Sequence, residues 1–222
     1  VAARQALDRQ PGPRVRPKKS QRDRLTRLAA DRPDRALGFA DETWWSRLAP
    51  PALHAWAESQ RPLRLVTQAV AKDDCDPKAL AADGLSLPAE NEVLLRFVDG
   101  RPVSALTTQF LAWWCGRLAA RGKAALLLIW DNAAWHVSKE VRRWIRAHNR
   151  AVKQARRGVR IVVCRLPVQS PWLNPIEPKW VHGKRRAVEP GRLLTGREVA
   201  ERACAALGCA DEEHLALPQQ VA

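Results

Sequence analysis

Methionine is absent from this chain of 222 residues. A chain without an ordinary start residue is expected to be a fragment, or one domain, of something longer. Cysteine is sparse, with only Cys75, Cys115, Cys164, Cys204 and Cys209. The number is odd and no C-x-x-C spacing occurs, so neither a disulfide framework nor a zinc site is indicated, and a reducing cytoplasm is the expected setting. Long apolar runs are missing too: "AALLLIW" (124–130) falls far short of the roughly 20 residues that span a bilayer. Residues 1–35 are polar and basic, which excludes an N-terminal secretory pattern there. The sequence shows no internal repeat and no long low-complexity tract.

Acidic residues are in deficit. Lys and Arg number 38 against 23 Asp and Glu, giving a formal charge of +15 and a pI of about 10.7. Such a field attracts polyanions, with DNA or RNA the leading class. Arg-favouring codon usage is the bland source of the same charge. A membrane-surface reading requires a basic amphipathic helix with a free apolar face, and no isolated segment has that form. The hydrophobic fraction of 46% marks a globular chain with one good-sized core. The expected division is a basic arm over 1–35 and a folded domain over 36–218.

Inside the arm, "SQRDRLTRLAA" (20–30) predicts a short helix with Ser20 and Asp23 as a weak capping box. "ALGFAD" (36–41), "RLVTQAV" (64–70) and "EVLLRFVDG" (92–100) read as strands. The acidic stretch 72–91 between them, with Pro and Gly, reads as irregular. Phe110, Leu111, Trp114 and Leu118 recur at helical spacing within 107–122. "KAALLLIWDN" (123–132) reads as a central strand ending in Asp131. The clearest helix spans 138–158. Val141, Trp144, Ile145, His148, Val152 and Ala155 line one face, Ser138 caps the start and Gly158 ends it. A strand over 159–167, a helix after the proline stretch and a last helix over 195–208 complete an α/β layout: a mixed central sheet flanked by helices.

Three carboxylates stand out. Asp41 and Asp131 each end an apolar strand and are followed by a polar residue, Glu42 and Asn132. Strand ends of α/β sheets are where ligands gather. In "SPWLNPIEPKW" (170–180), Asn174 is a good N-cap, Pro175 suits the first helical position, and Glu177 falls in the first turn of a stiff helix start. Three carboxylates converging on one point repel one another and coexist ionised only around a cation. Oxygen-only donors suit Mg²⁺ or Mn²⁺. Two such ions about 3.5–4 Å apart are the usual device for in-line displacement at phosphorus. Plainer roles remain open: an Asp after a strand also caps turns, Glu177 also gains from the helix dipole by about 0.3–1 kcal/mol, and His136 reads as a loop or cap residue. Most tryptophans read as core, with one member of Trp44-Trp45 and of Trp113-Trp114 a candidate for facing DNA. No acid interrupts Val141 to Val163, so the Arg-rich face of helix 138–158 reads either as a solvated face or as a nucleic-acid contact.

"FADETWW" (39–45), "LLLIWDNAAWHVSKEV" (126–141) and "VVCRLPVQSPWLNPIEPKWVHGKRR" (162–186) together resemble the three blocks of a DDE transposase. The resemblance is to the mariner-related bacterial insertion-sequence transposases, the insertion-sequence six-thirty family, over about residues 20–218. It implies an RNase H-like fold and a site of Asp41, Asp131 and Glu177 holding Mg²⁺ or Mn²⁺, two ions in all. Asn132, His136 and Asn174 would support that site. The implied activity is cleavage at element ends followed by strand transfer into target DNA, by a homodimer on double-stranded DNA at the bacterial nucleoid. Helix-turn-helix modules usually precede this domain in relatives. Arg142, Arg143, Arg146, Arg150, Lys179, Lys184, Arg185 and Arg186 are the expected phosphate contacts. The rival readings are a nuclease of the same fold that hydrolyses without joining, and an inactive DNA-binding remnant.

Overall fold

The computed structural model describes residues 15–48, 70–101, 103–168, 170–188 and 192–217. Five strands form one mixed sheet: β1 (Arg35–Ser46), β2 (Ala79–Leu87), β3 (Glu92–Val98), β4 (Ala125–Trp130) and β5 (Arg160–Arg165), in the order β3-β2-β1-β4-β5. β1, β2 and β3 make an antiparallel meander, whereas β4 and β5 run parallel to β1. The helices are α1 (Val15–Ala30), α2 (Ser104–Ala120), α3 (Lys139–Ala155), α4 (Glu177–Ala187) and α5 (Gly196–Leu207).

Side-chain alternation along the strands divides the core into two layers. On one face, Ala36, Ala40, Leu85, Leu94, Leu126, Leu128 and Trp130 pack with α2 and with Val141 of α3. On the other face, Trp45, Leu80, Leu95 and Phe97 pack with Ile176, Trp180, Val199 and Ala203 of the α4 and α5 region. Further along that face, Leu37, Phe39, Leu127 and Ile129 meet Leu25 of α1 and Leu173.

Several expectations need correction. β1 does not end at Asp41. It continues to Ser46, because β2 pairs with it from Phe39 onward while β4 pairs only as far as Phe39. The acidic stretch is not irregular throughout: residues 79–87 are a strand, buried from Leu80 onward. Its Asp83 and Gly84 resemble breakers only until the neighbouring strands are in place. Ahead of it, Asp74 pairs with buried Arg47 at 2.7 Å and fixes the entry to β2. Ser20 lies inside α1, which begins at Val15, so it caps nothing. Ser138 does cap α3, accepting from Val141 N–H at 3.1 Å. That helix stops at Ala155, with Arg156 left-handed at φ 50° ahead of Gly158. Asn149 of α3 bonds both the N–H and the carbonyl of Ile161, each at 2.8 Å, on the edge strand. The strand expected at 64–70 lies outside the described residues, apart from its last position.

Candidate active site

β1 and β4 are parallel neighbours. At the end of β4 the chain leaves the sheet with Asp131, while β1 runs on through Asp41, which pairs with Gly84 of β2. Chain direction and alternation thus set both aspartates on the α4 side. Glu177 is the first residue of α4. All three carboxylates line one cleft of about 310 Å³, together with Asn132, Ala133, Pro167, Val168, Pro171 and Asn174.

Each aspartate is gripped through one oxygen. Trp180 Nε1 donates to Asp41 Oδ2 at 2.8 Å. Asp131 Oδ1 accepts from Ala133 N–H at 3.0 Å and from His136 Nδ1 at 2.7 Å. These bonds orient the carboxylates and direct the remaining oxygens elsewhere. His136 is itself 2% exposed and stacks on Trp130 with centroids 4.5 Å apart and planes 8° apart. It is a buried partner of Asp131 and not the loop or cap residue that its position alone suggested. Asn132 Nδ2 donates to Leu166 carbonyl at 2.6 Å, joining the loop after β4 to the one after β5.

Asn174 departs from its expected role. It does not cap α4, which starts at Glu177 after Ile176. It closes the 3-10 turn Pro171–Leu173, and its Nδ2 donates to Ala40 carbonyl at 3.2 Å. The stiff proline stretch is therefore fastened to β1 at the residue before Asp41. Pro178, as the second helical residue, sits where no intrahelical N–H bond is required, so it stiffens the helix start without removing a bond.

The electrostatics follow from crowding. Burial, with Glu177 and Asp131 nearby, pushes Asp41 up to about 7 against the lowering bond from Trp180. Burial and then Asp41 and Asp131 push Glu42 up to about 7. Asp83 is raised well above the usual carboxylate range by burial and by Glu42, Asp41 and Asp131. For Asp131, burial pulls upward, but the His136 bond, the Ala133 N–H and the His136 charge outweigh it and hold the group low. Among the described residues no three His, Cys, Asp or Glu side chains form a ready metal-holding group.

The expected phosphate contacts divide between the two layers. Lys179, Lys184, Arg185 and Arg186 lie on α4. Burial draws Lys184 below its ordinary value, with Asp41 and Glu177 opposing. Arg142, Arg143, Arg146 and Arg150 are exposed on α3, in the other layer. The two groups do not form one patch.

Trp180 and Gly84 were missed as site residues. The signal for Trp180 was its place three residues after Glu177, on the same helix face. Gly84, across from Asp41, gives the ring its room, since a Cβ there would overlap the Trp180 ring. Only the register of β2 reveals that.

Residues 98–198 match the model of a family described as DDE superfamily endonuclease. No match is found among curated protein sequences. Solved structures share the fold. A Mos1 transposase paired-end complex with the left transposon end aligns at TM-score 0.62 and 14% identity, covering 92% of this chain and 58% of that one. A Mos1 mariner paired-end complex with Mn aligns at 0.61 and 14%, covering 91% and 57%. The catalytic domain of Mos1 mariner transposase aligns at 0.55 and 15%, covering 92% and 86%. The chain thus spans under three fifths of the Mos1 chains in those complexes. The fold is RNase H-like, and the stretch that carries Asp131 and Glu177 matches the DDE superfamily endonuclease domain.

Proposed function

We propose that this chain is the catalytic domain of a DNA transposase of the mariner-related bacterial insertion-sequence group, the six-thirty family. It would cleave phosphodiesters at element ends and transfer the resulting 3′-hydroxyl into target DNA, acting as a homodimer in the bacterial cytoplasm. The observation that carries this reading is the convergence of Asp41, Asp131 and Glu177, from three separate elements, on one cleft. The Mos1 structures support it through what they hold: transposon-end DNA in one, and Mn or Mg in others.

The donor set fits a hard divalent cation, being oxygen alone, with both aspartates already oriented by bonds to one oxygen each. Asp41, Asp131 and Glu177 would hold Mg²⁺ or Mn²⁺, two ions in this reading. When bound, such ions stabilise charge at a phosphodiester and lower the pKa of water or a hydroxyl. His136 keeps Asp131 ionised and aimed. Trp180 favours the ionised form of Asp41. Asn132 and Asn174 hold the three carboxylate-bearing segments in register. Lys184 offsets their charge and, with Lys179, Arg185 and Arg186, contacts phosphates.

The test uses supercoiled plasmid and a labelled 3′-hydroxyl duplex with Mn²⁺. Nicking and joined product are expected from the unaltered chain, and neither from Asp41→Asn, Asp131→Asn or Glu177→Gln. Nicking without joining would assign the hydrolytic nuclease instead. DNA binding unchanged by Glu177→Gln, with no cleavage by either form, would mean a non-catalytic remnant. Binding to nonspecific duplex should show a log–log salt slope steeper than about −3, the sign of a few neutralised phosphates. A flat slope would sink the phosphate contacts.

A further inference from the structure

Trp172 is the most exposed tryptophan among the described residues, at 73%. It lies on the 3-10 turn, between Pro171 and Leu173. Pro171 lines the carboxylate cleft, and so does Val168, itself 71% exposed. The rim of a charged cleft thus carries an open indole and an open valine.

The turn does not wander. Leu173 N–H donates to Ser170 carbonyl at 3.1 Å, and Asn174 N–H to Pro171 carbonyl at 2.8 Å. Leu173 is buried in the cluster of Leu25, Phe39 and Leu166. Asn174 bonds Ala40 next to Asp41. The anchor residues face inward and leave Trp172 pointing away from the core at a fixed place beside the catalytic carboxylates. At 73% exposure the ring is left largely open to solvent.

A nucleotide carries base and phosphate on one sugar. A flat aromatic surface on the rim of a phosphoryl-transfer cleft can therefore hold a base while the attached phosphate lies in the cleft. Stacking on tryptophan tolerates any base, because each has a π-face. The base must be unpaired to offer that face. A second protein copy is a poorer occupant: a stable interface buries about 800 Å² per partner, and two side chains fall well short.

Building on the transposase reading, we propose that Trp172, flanked by Val168, stacks an unpaired base next to the scissile phosphodiester. The site then takes DNA whose end is frayed or whose flanking base is flipped out, in preference to a fully paired end.

The test uses the whole chain with Ca²⁺ in place of Mn²⁺, and two duplexes that differ at one position. One carries 2-aminopurine paired at the end, and the other carries it as an unpaired overhang. Trp172→Ala should bind the unpaired probe about five- to a hundredfold more weakly and lose the fluorescence change, with the paired probe held within about twofold. Trp172→Phe should restore most of both. Asp131→Asn should keep the unpaired-base preference while abolishing cleavage with Mn²⁺. Equal binding of the two probes by Trp172→Ala and the unaltered chain, with cleavage intact, overturns the stacking role alone. An equal loss on both probes overturns it as well, since a general scaffold or phosphate role would act so. A change in sedimentation with no change in base fluorescence makes Trp172 a contact between copies and also overturns it. A chain that neither binds nor cleaves DNA overturns the transposase reading first and the stacking role with it.

Discussion

Burial pulls the titration of Asp41 upward, and one indole opposes it. The Trp180 N–H favours the ionised carboxylate, while burial and the charges of Glu177 and Asp131 favour the protonated one, and the balance lies at about 7. Only the ionised form is a ligand for a divalent cation. At Mn²⁺ concentrations well below saturation, cleavage should therefore fall as pH drops through about 7, and saturating Mn²⁺ should move that fall to lower pH. Trp180→Phe keeps most of the ring in the space left by Gly84 and removes only the donor. A hydrogen bond to a charged group contributes about 1.5–3 kcal/mol, and 1.36 kcal/mol corresponds to one pH unit. The acid limb of the rate profile in Trp180→Phe should move up by about one to two pH units, with the alkaline plateau less affected. An unmoved limb would show that the bond at 2.8 Å does not control the ionisation of Asp41.

Among elements, the 3-10 turn has the most leverage for its size. It joins β5 to α4 and is fastened to β1 by the packing of Leu173 on Leu37 and Phe39 and by the Asn174 hydrogen bond to Ala40. Asn174→Ala removes that bond and leaves the buried carbonyl of Ala40 unpaired, at a cost of about 1–3 kcal/mol. For a domain of this size the melting temperature should fall by about 2–10 °C. Cleavage measured well below the melt should fall by more than tenfold, because Glu177 follows the turn directly. A stability loss with unchanged cleavage would show that α4 is aimed by its packing instead. This turn also marks how far the sequence could be read. Patterning gave β3, β4, β5, α2, α3 and α5 to within a few residues, since each has its own apolar period or cap. β2 was hidden: Asp83 and Gly84 look like breakers, and they sit in a strand only because β1 and β3 satisfy its backbone on both sides. The three carboxylates singled out in the sequence do share a cleft; Asp131 follows a strand end and Glu177 a stiff proline stretch, but Asp41 lies within β1 and not at its end. Trp180, Gly84 and the inward turn of His136 were not legible, because each depends on register or stacking across more than one element.

At the scale of the whole molecule, a chain of charge +15 gathers acids at one end of its sheet. Glu42 and Asp83 face each other across β1 and β2, and Glu42 Oε2 and Asp83 Oδ1 are buried with no hydrogen-bond partner among the described residues. Both carboxyls are raised, as is Asp41. A carboxyl whose folded pKa is raised binds protons more tightly in the native state than in the unfolded one. Its contribution to stability is present below the unfolded value near 4 and is lost as pH rises through the folded value. The metal-free chain should accordingly melt at higher temperature at pH 5 than at pH 8, although positive self-repulsion grows in acid and opposes the trend. Asp83→Asn separates the two effects, since it removes one buried charge and barely alters the surface field. Calorimetry should show it melting about 2–10 °C above the unaltered chain at pH 8, from about 1–3 kcal/mol of relieved desolvation, with the gap narrowing as pH falls and closing only near the unfolded value of about 4. Mn²⁺ should raise the pH 8 melt of both forms, by about 2.7 kcal/mol of stability at a hundred times its dissociation constant. If Asp83→Asn melts lower at pH 8, the buried carboxylate is compensated there by a partner, and the acidic end of the sheet holds the fold together instead of straining it.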